Sequence, residues 1–226
     1  MKKTVPIYDK IDVYRLLKYL REWNSNYYIA AVIGIQWGLR CSDILALQVG
    51  DVVAGEGSRI QIIDRVRLRE IKTGHERHIL VTEEMKDVLY EHIKGSGTPV
   101  DMGAPLVLSR NKNKGKAKPL SRYRLWRVVS NAAHRLGIKG PIGTHSLRKT
   151  FAYQAWRDGE RVDVIQKEFG HASVDTTHRY ACIPDERQDG LYKKVSFAFP
   201  SKRGRGKNRS GKPGPESRFE GNAKNP

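Results

Sequence analysis

The segment from Tyr27 to Leu39 (YYIAAVIGIQWGL) sets the strongest limit on how this chain can fold. It is apolar nearly all round, interrupted only by Gly34, Gln36 and Gly38, and it is too short to cross a bilayer. A helix with no polar face needs neighbours on every side, so the stretch predicts the central helix of a core. Ile29, Val32, Ile33 and Trp37 recur there at helical spacing, and Val13, Leu16, Leu17 and Leu20 do the same just before it. A chain of 226 residues suffices to bury such a helix within one or two domains.

Beyond a short helical stretch at Ser42 to Leu47 the pattern changes. Ile60 to Asp64, Val66 to Ile71 and His78 to Val81 are rich in β-branched residues, and Lys72-Thr73-Gly74 supplies turn chemistry. A small antiparallel sheet near residues 60–81 follows, with a hairpin at that turn. Helical signals return at 82–94, 121–136, 144–158, 161–169 and 185–195, with a short strand expected at Leu106 to Leu108. The fold class is therefore α+β, mainly α-helical, in one domain over residues 1–199. From Pro200 the composition shifts: nine of the last 27 residues are Gly or Pro and eight are Lys or Arg. Such a stretch cannot offset its ordering entropy by burial, so residues 200–226 are expected to form a disordered basic tail.

Lys and Arg number 42 against 24 Asp and Glu, a net charge of +18. That balance points to a polyanionic partner and says nothing about fold. The tail accounts for +6, so the body stays basic without it. Two regions concentrate the charge. Arg110, Lys112, Lys114, Lys116 and Lys118 lie in a stretch with no apolar period, expected to be a mobile loop. Arg124, Arg127 and Arg135 form a stripe beside the apolar face Leu125, Val128, Val129, Ala132 and Leu136, and no acid offsets them within the helix. Phosphate contact is the role expected of both. Two cysteines make neither a disulfide framework nor a Cys-rich zinc site, and no H-E-x-x-H pattern occurs. Gly206 to Lys212 imitates a phosphate-binding loop, but Pro213 stands where Ser or Thr should follow. No metal, no cofactor and no membrane is expected, and the N-terminus lacks the apolar run of a secretory signal. The location expected is cytoplasmic, associated with the nucleoid.

The chemistry gathers in a few motifs. GLRCSDILAL puts Arg40 in a turn between two helices, and IKTGHERHI puts Lys72 at the hairpin tip. THSLRKT places His145 and Arg148 three apart at a helix start, and GHASVDTTHRY sets His171 after a glycine with Tyr180 nine residues later. Singly, each has a plain structural explanation: a cap, a solvated charge, an ion-pair partner, a turn residue, a packing ring. Together and in this order they resemble the tyrosine recombinase, or phage integrase, family, from about Val13 to Val195.

The resemblance implies a DNA strand transferase that works without metal or ATP through a 3′-phosphotyrosyl intermediate. Arg40 and Arg148 would clamp the non-bridging oxygens of the scissile phosphate, staying ionised and matching it with planar forks. Tyr180 would be the nucleophile, with His145 accepting its proton and His171 donating a hydrogen bond to the phosphate. Lys72 would protonate the leaving 5′-hydroxyl. The implied partner is double-stranded DNA, bound by a homotetramer on paired sites, with accessory DNA-bending proteins. Only 39 residues precede Arg40, so no separate N-terminal core-binding domain is expected; the layout is similar to single-domain fimbrial-switch invertases. Two rival readings stand beside this one, a type IB topoisomerase-like relaxing enzyme and a non-catalytic DNA-binding accessory protein.

Overall fold

A computed structural model describes residues 3–55, 60–95, 100–109 and 118–183 of the chain. The helix expected at 185–195, the tail from 200, and Arg110, Lys112, Lys114 and Lys116 lie outside the described residues. Asp9 caps α1 (Lys10–Trp23) by accepting from the Ile11 amide at 2.8 Å. Asn24 ends that helix and caps α2 (Ser25–Gln36), accepting from the Asn26 amide at 2.9 Å. In α2 Tyr27, Ile29, Ala30, Ala31, Val32, Ile33, Gly34 and Ile35 are all buried, as its sequence requires. The helices that cover it are α1, α3 (Cys41–Ala46), α4 (Glu83–Lys94), α5 (Arg122–Arg135) and α6 (Thr144–Arg157). Helices α7 (Val162–Phe169) and α8 (Val174–Ala181) pack on α6 and on each other.

Two packed clusters result. The larger runs from Ile7 to Leu147 around α2, and the smaller joins Ala152, Ile165, Phe169, Ala181 and Ile183. Helix α6 serves both, with Leu147 in the first and Ala152 in the second. Its approach to α2 depends on Gly34, where an added Cβ would lie 2.9 Å from the Leu147 Cβ. Both atoms sit on helix backbones, so neither can swing aside. Gly34→Ala should therefore lower stability by about 1–3 kcal/mol in urea unfolding, despite alanine's better helix propensity. An unchanged or raised midpoint would mean the two helices separate freely.

The small antiparallel sheet expected near residues 60–81 is present, but divided. Among the described residues, four strands form two separate two-stranded antiparallel ladders, β1 (Val53–Ala54) with β2 (Gln61–Ile62) and β3 (Arg65–Arg69) with β4 (Glu76–Leu80). The break falls at Ile63 and Asp64: the Ile63 amide donates to Val52, whereas the Asp64 carbonyl accepts from Val81. Each residue is claimed by a different ladder, so β2 and β3 do not merge. The hairpin forms as expected, Arg69 opposite Glu76 and Val66 opposite Ile79, with Gly74 at φ +66° in the turn. Leu106 to Leu108 is no strand. Isolated bridges flank it, Gln48 with Pro105 and Leu108 with Pro119, and in each the proline lacks an N–H to extend a ladder. Helix α8 is not among the expected helices; it is eight residues long and buries only Thr177 and Ala181. Among the described residues no helix is long and apolar enough to cross a membrane.

Candidate active site

The turn after α2 builds the first wall of the site. Gly38 adopts φ +60°, and a Cβ there would meet the Phe151 and Phe169 rings at 2.8 and 2.9 Å. Its carbonyl accepts from Arg148 Nη1 at 2.7 Å. Leu39 is buried in the core, and Arg40, half-buried, stands in extended conformation at the N-cap of α3. The Gly-Leu-Arg triplet thus supplies a turn, an anchor and a guanidinium in succession.

Arg148 is 1% exposed on α6. Its guanidinium lies 3.9 Å from the Phe169 ring centre and also donates to the Phe169 carbonyl at 3.3 Å and to Glu70 Oε1 at 2.9 Å. Arg40 pairs with the other oxygen of the same carboxylate, Glu70 Oε2. Two segments more than a hundred residues apart therefore present their guanidinium groups to one anion. His145, one turn before Arg148, is exposed at the rim.

The far wall comes from α7 and α8. Helix α7 ends in the left-handed Gly170 (φ +61°), where a Cβ would strike the His75 ring at 2.8 Å. The chain then delivers His171, whose Nδ1 lies 2.9 Å from the hydroxyl of the fully buried Thr177. Tyr180, half-buried near the end of α8, meets the His171 ring edge-on with centroids 5.3 Å apart and the Phe169 ring at 5.9 Å. The Lys149 ammonium stands 5.3 Å from the centre of the same phenol.

Arg40, Arg148, His171 and Tyr180 are thus brought together around Phe169 and Glu70. Lys72 is exposed in the hairpin turn with no ion-pair partner among the described residues, near enough to His145 to act on it by charge. Lys118, Arg127 and Arg135 are exposed and Arg124 half-buried, and Arg122 at the start of α5 also bears on His145. Among the described residues no group of three or more His, Cys, Asp or Glu is arranged to hold a metal ion.

The electrostatics separate the two histidines. Desolvation, then the charges of Arg148 and Arg40, push the His171 imidazole down from 6.5 to about 4. Partial desolvation, reinforced by Arg122, Lys149, Arg148 and Lys72, lowers His145 as well. Burial raises the Tyr180 phenol, with Arg148 and Arg40 pulling the other way. The depressed His171 has a consequence for stability. The unfolded chain takes up this proton first, so the native state should lose stability as the pH falls from about 6.5 through 4 and lose none to this group above. NMR of the DNA-free protein should show His171 titrating near 4, and a midpoint above 6 would contradict the arrangement.

Sequence reasoning missed Glu70, Arg77, Thr177 and Asp43. Asp43 accepts from the Ile71 amide at 2.9 Å, tying the start of α3 to the hairpin that carries Lys72. Glu70 and Arg77 did leave a signal: alternation through Val66 and Leu68, and back from Ile79, places both charges on the inward face of the hairpin.

Residues 8–187 match the phage integrase family. A probable integrase/recombinase of Bacillus subtilis, YoeC, is 34% identical over 188 residues, covering 83% of this chain and 94% of that protein. Xer-type relatives are longer, and the chain covers 60% of one archaeal XerA and 47% of one bacterial XerD. Among solved structures, the XerA recombinase superposes with a TM-score of 0.65 at 19% identity, over 88% of this chain and 67% of that one. XerH bound to its difH substrate before cleavage gives 0.60 at 19% identity, over 84% and 54%.

Proposed function

Because the chain belongs to the phage integrase family of tyrosine recombinases, we propose that it cuts and rejoins DNA at specific sites with Tyr180 as the nucleophile. The observation that carries this reading is the convergence of Arg40 and Arg148 on a single anion beside the phenol, where both act on its hydroxyl by charge. A basic groove alone would bind DNA without a means to attack it.

The Tyr180 oxygen attacks the scissile phosphorus, and its proton passes to His145. Charge building on the two non-bridging oxygens is held by Arg40 and Arg148, fixed before the reaction begins. The bond to the 5′-oxygen breaks, and Lys72 supplies the proton that makes it a hydroxyl. In the second step a 5′-hydroxyl attacks the phosphotyrosine, the protons return, and the phenol leaves, so no external energy source enters the balance. Both imidazoles are lowered, and the closer pairing of His171 with the two arginine charges supports giving it the donor role. His171, near 4, is a poor proton acceptor, and its Nδ1 lies 2.9 Å from the Thr177 hydroxyl; with that hydroxyl assigned as the donor, the ring hydrogen sits on Nε2 and serves the phosphate. Lys118, Arg124, Arg127 and Arg135 supply contacts to the DNA backbone around the site. Exchange between two duplexes breaks four strands, which calls for four copies of Tyr180 and so a tetramer on paired sites.

The test is incubation of the protein with the DNA that flanks its own gene. A protein–DNA link that survives denaturing detergent and is broken by nuclease digestion to a phosphotyrosyl residue is the expected result. Tight binding with no such link under any duplex geometry would instead make this a DNA-binding protein without catalysis.

A further inference from the structure

Of the two buried carboxylates among the described residues, Asp43 ties α3 to the hairpin, and Glu70 has no part in the chemistry above. Glu70 is 1% exposed and follows directly on β3, continuing its inward row Val66 and Leu68. Oε1 accepts from Arg148 at 2.9 Å and from Arg77 at 3.3 Å; Oε2 accepts from Arg40 and from the Thr73 hydroxyl at 2.8 Å. Four donors from α6, β4, the start of α3 and the Lys72 turn meet on one side chain. Arg77, 2% exposed, is itself braced by the Trp37 carbonyl at 2.8 Å and by Glu168 at 2.9 Å.

Building on the recombinase reading, we propose that Glu70 is a positioning residue, an internal stand-in for the scissile phosphate. It holds Arg40 and Arg148 one anion apart before DNA arrives and, through Thr73, orders the turn that carries Lys72. Two neighbouring guanidinium groups repel, and Arg40, the more exposed, would swing into water without an anion between them. A carboxylate offers two oxygens in a plane, which guanidinium forks match as they match the two non-bridging oxygens of a phosphodiester. Arg148 is fixed on three sides by Gly38, Phe169 and Glu70, whereas Arg40 has donors to spare for an incoming phosphate. Burial alone would raise the Glu70 carboxyl, but Arg148, Thr73 and Arg40 outweigh it and hold the group below its ordinary value, hence charged.

Glu70→Gln tests this, since it keeps the shape and the acceptor for Thr73 and removes the charge. Adduct formation should fall about 100-fold, the scale of losing one oxyanion donor, while non-covalent duplex binding stays equal or tightens because the site gains positive charge. Damage of a merely structural kind lowers both together and would overturn the proposal, as would an unchanged cleavage rate. A duplex with an uncharged methylphosphonate at the scissile position asks less of the clamp. On it the gap between wild type and Glu70→Gln should shrink by about tenfold or more. An equal gap on both substrates would overturn the proposal. If Glu70→Gln does not fold, Glu70→Asp, which keeps the charge but shortens the reach, should show the same split between cleavage and binding. If the wild type itself forms no adduct, the recombinase reading fails. The crystal structure of the folded variant then decides: Arg40 displaced from Arg148 upholds the role of Glu70, and an undisturbed pair removes it.

Discussion

Tyr180→Phe should bind its duplex as the wild type does and form no covalent link to it. The ring of Tyr180 packs edge-on against His171 and Phe169, and phenylalanine keeps those contacts. What disappears is the phenolic oxygen, already held in its neutral form by burial. Losing one hydroxyl changes stability by about 0.5–1.5 kcal/mol, so the variant should fold and melt near the wild type. Duplex affinity rests on many phosphate contacts and should shift by no more than about twofold. The rate of adduct formation should drop by ~10⁵-fold or more, because removing a nucleophile leaves only binding and charge stabilisation behind. Single-turnover cleavage with detergent-denatured products on a gel reads both quantities. Adduct formed by the Phe variant at even a hundredth of the wild-type rate would assign the attack to another group.

Arg148 is the second position where the expected effect is large, and there stability and chemistry should move together. Arg148→Ala removes the donor to the Gly38 and Phe169 carbonyls, one partner of the buried Glu70, and the cation over the Phe169 ring. Breaking a buried ion pair from one side costs about 3–5 kcal/mol. Arg40 and Arg77 still neutralise Glu70, so about 2–4 kcal/mol is expected in urea unfolding. Cleavage should fall by ~10³-fold or more, measured below the variant's melting range. Arg148→Lys separates the two effects. An ammonium keeps the charge but cannot span Gly38, Phe169 and Glu70 at once, so stability recovers in part while cleavage stays depressed by about 10²-fold. Cleavage that recovers in step with stability would leave Arg148 a structural residue.

How far the sequence could be read depended on whether a residue's neighbours lie along the chain or across it. Asn24, Thr82 and Ser121 cap the helices that follow them, and the alternation of Val66 and Leu68 sets the inward face of the hairpin; each depends on residues a few positions away. The same holds for the buried α2, whose apolar surround admits no other place. The split of the sheet at Ile63 and Asp64 was not legible, because Val52 and Val81 compete for adjacent backbone groups from opposite directions along the chain. Nor was α8, a short polar helix that is stable where it docks on α6 and α7.

The candidate site divides in the same way. Its residue types and their order, Arg40, Lys72, His145, Arg148, His171 and Tyr180, stand in the motifs themselves, and with them the family. The tertiary structure decided what those groups meet. It enclosed Arg148 and left His145 exposed, though they lie three residues apart, and it set the His171 ring against the phenol. It also placed one carboxylate between guanidinium groups from three distant segments. Local spacing dictates which face of an element a side chain leaves from; what waits on the other side, and how much water is excluded there, exists only once the elements pack.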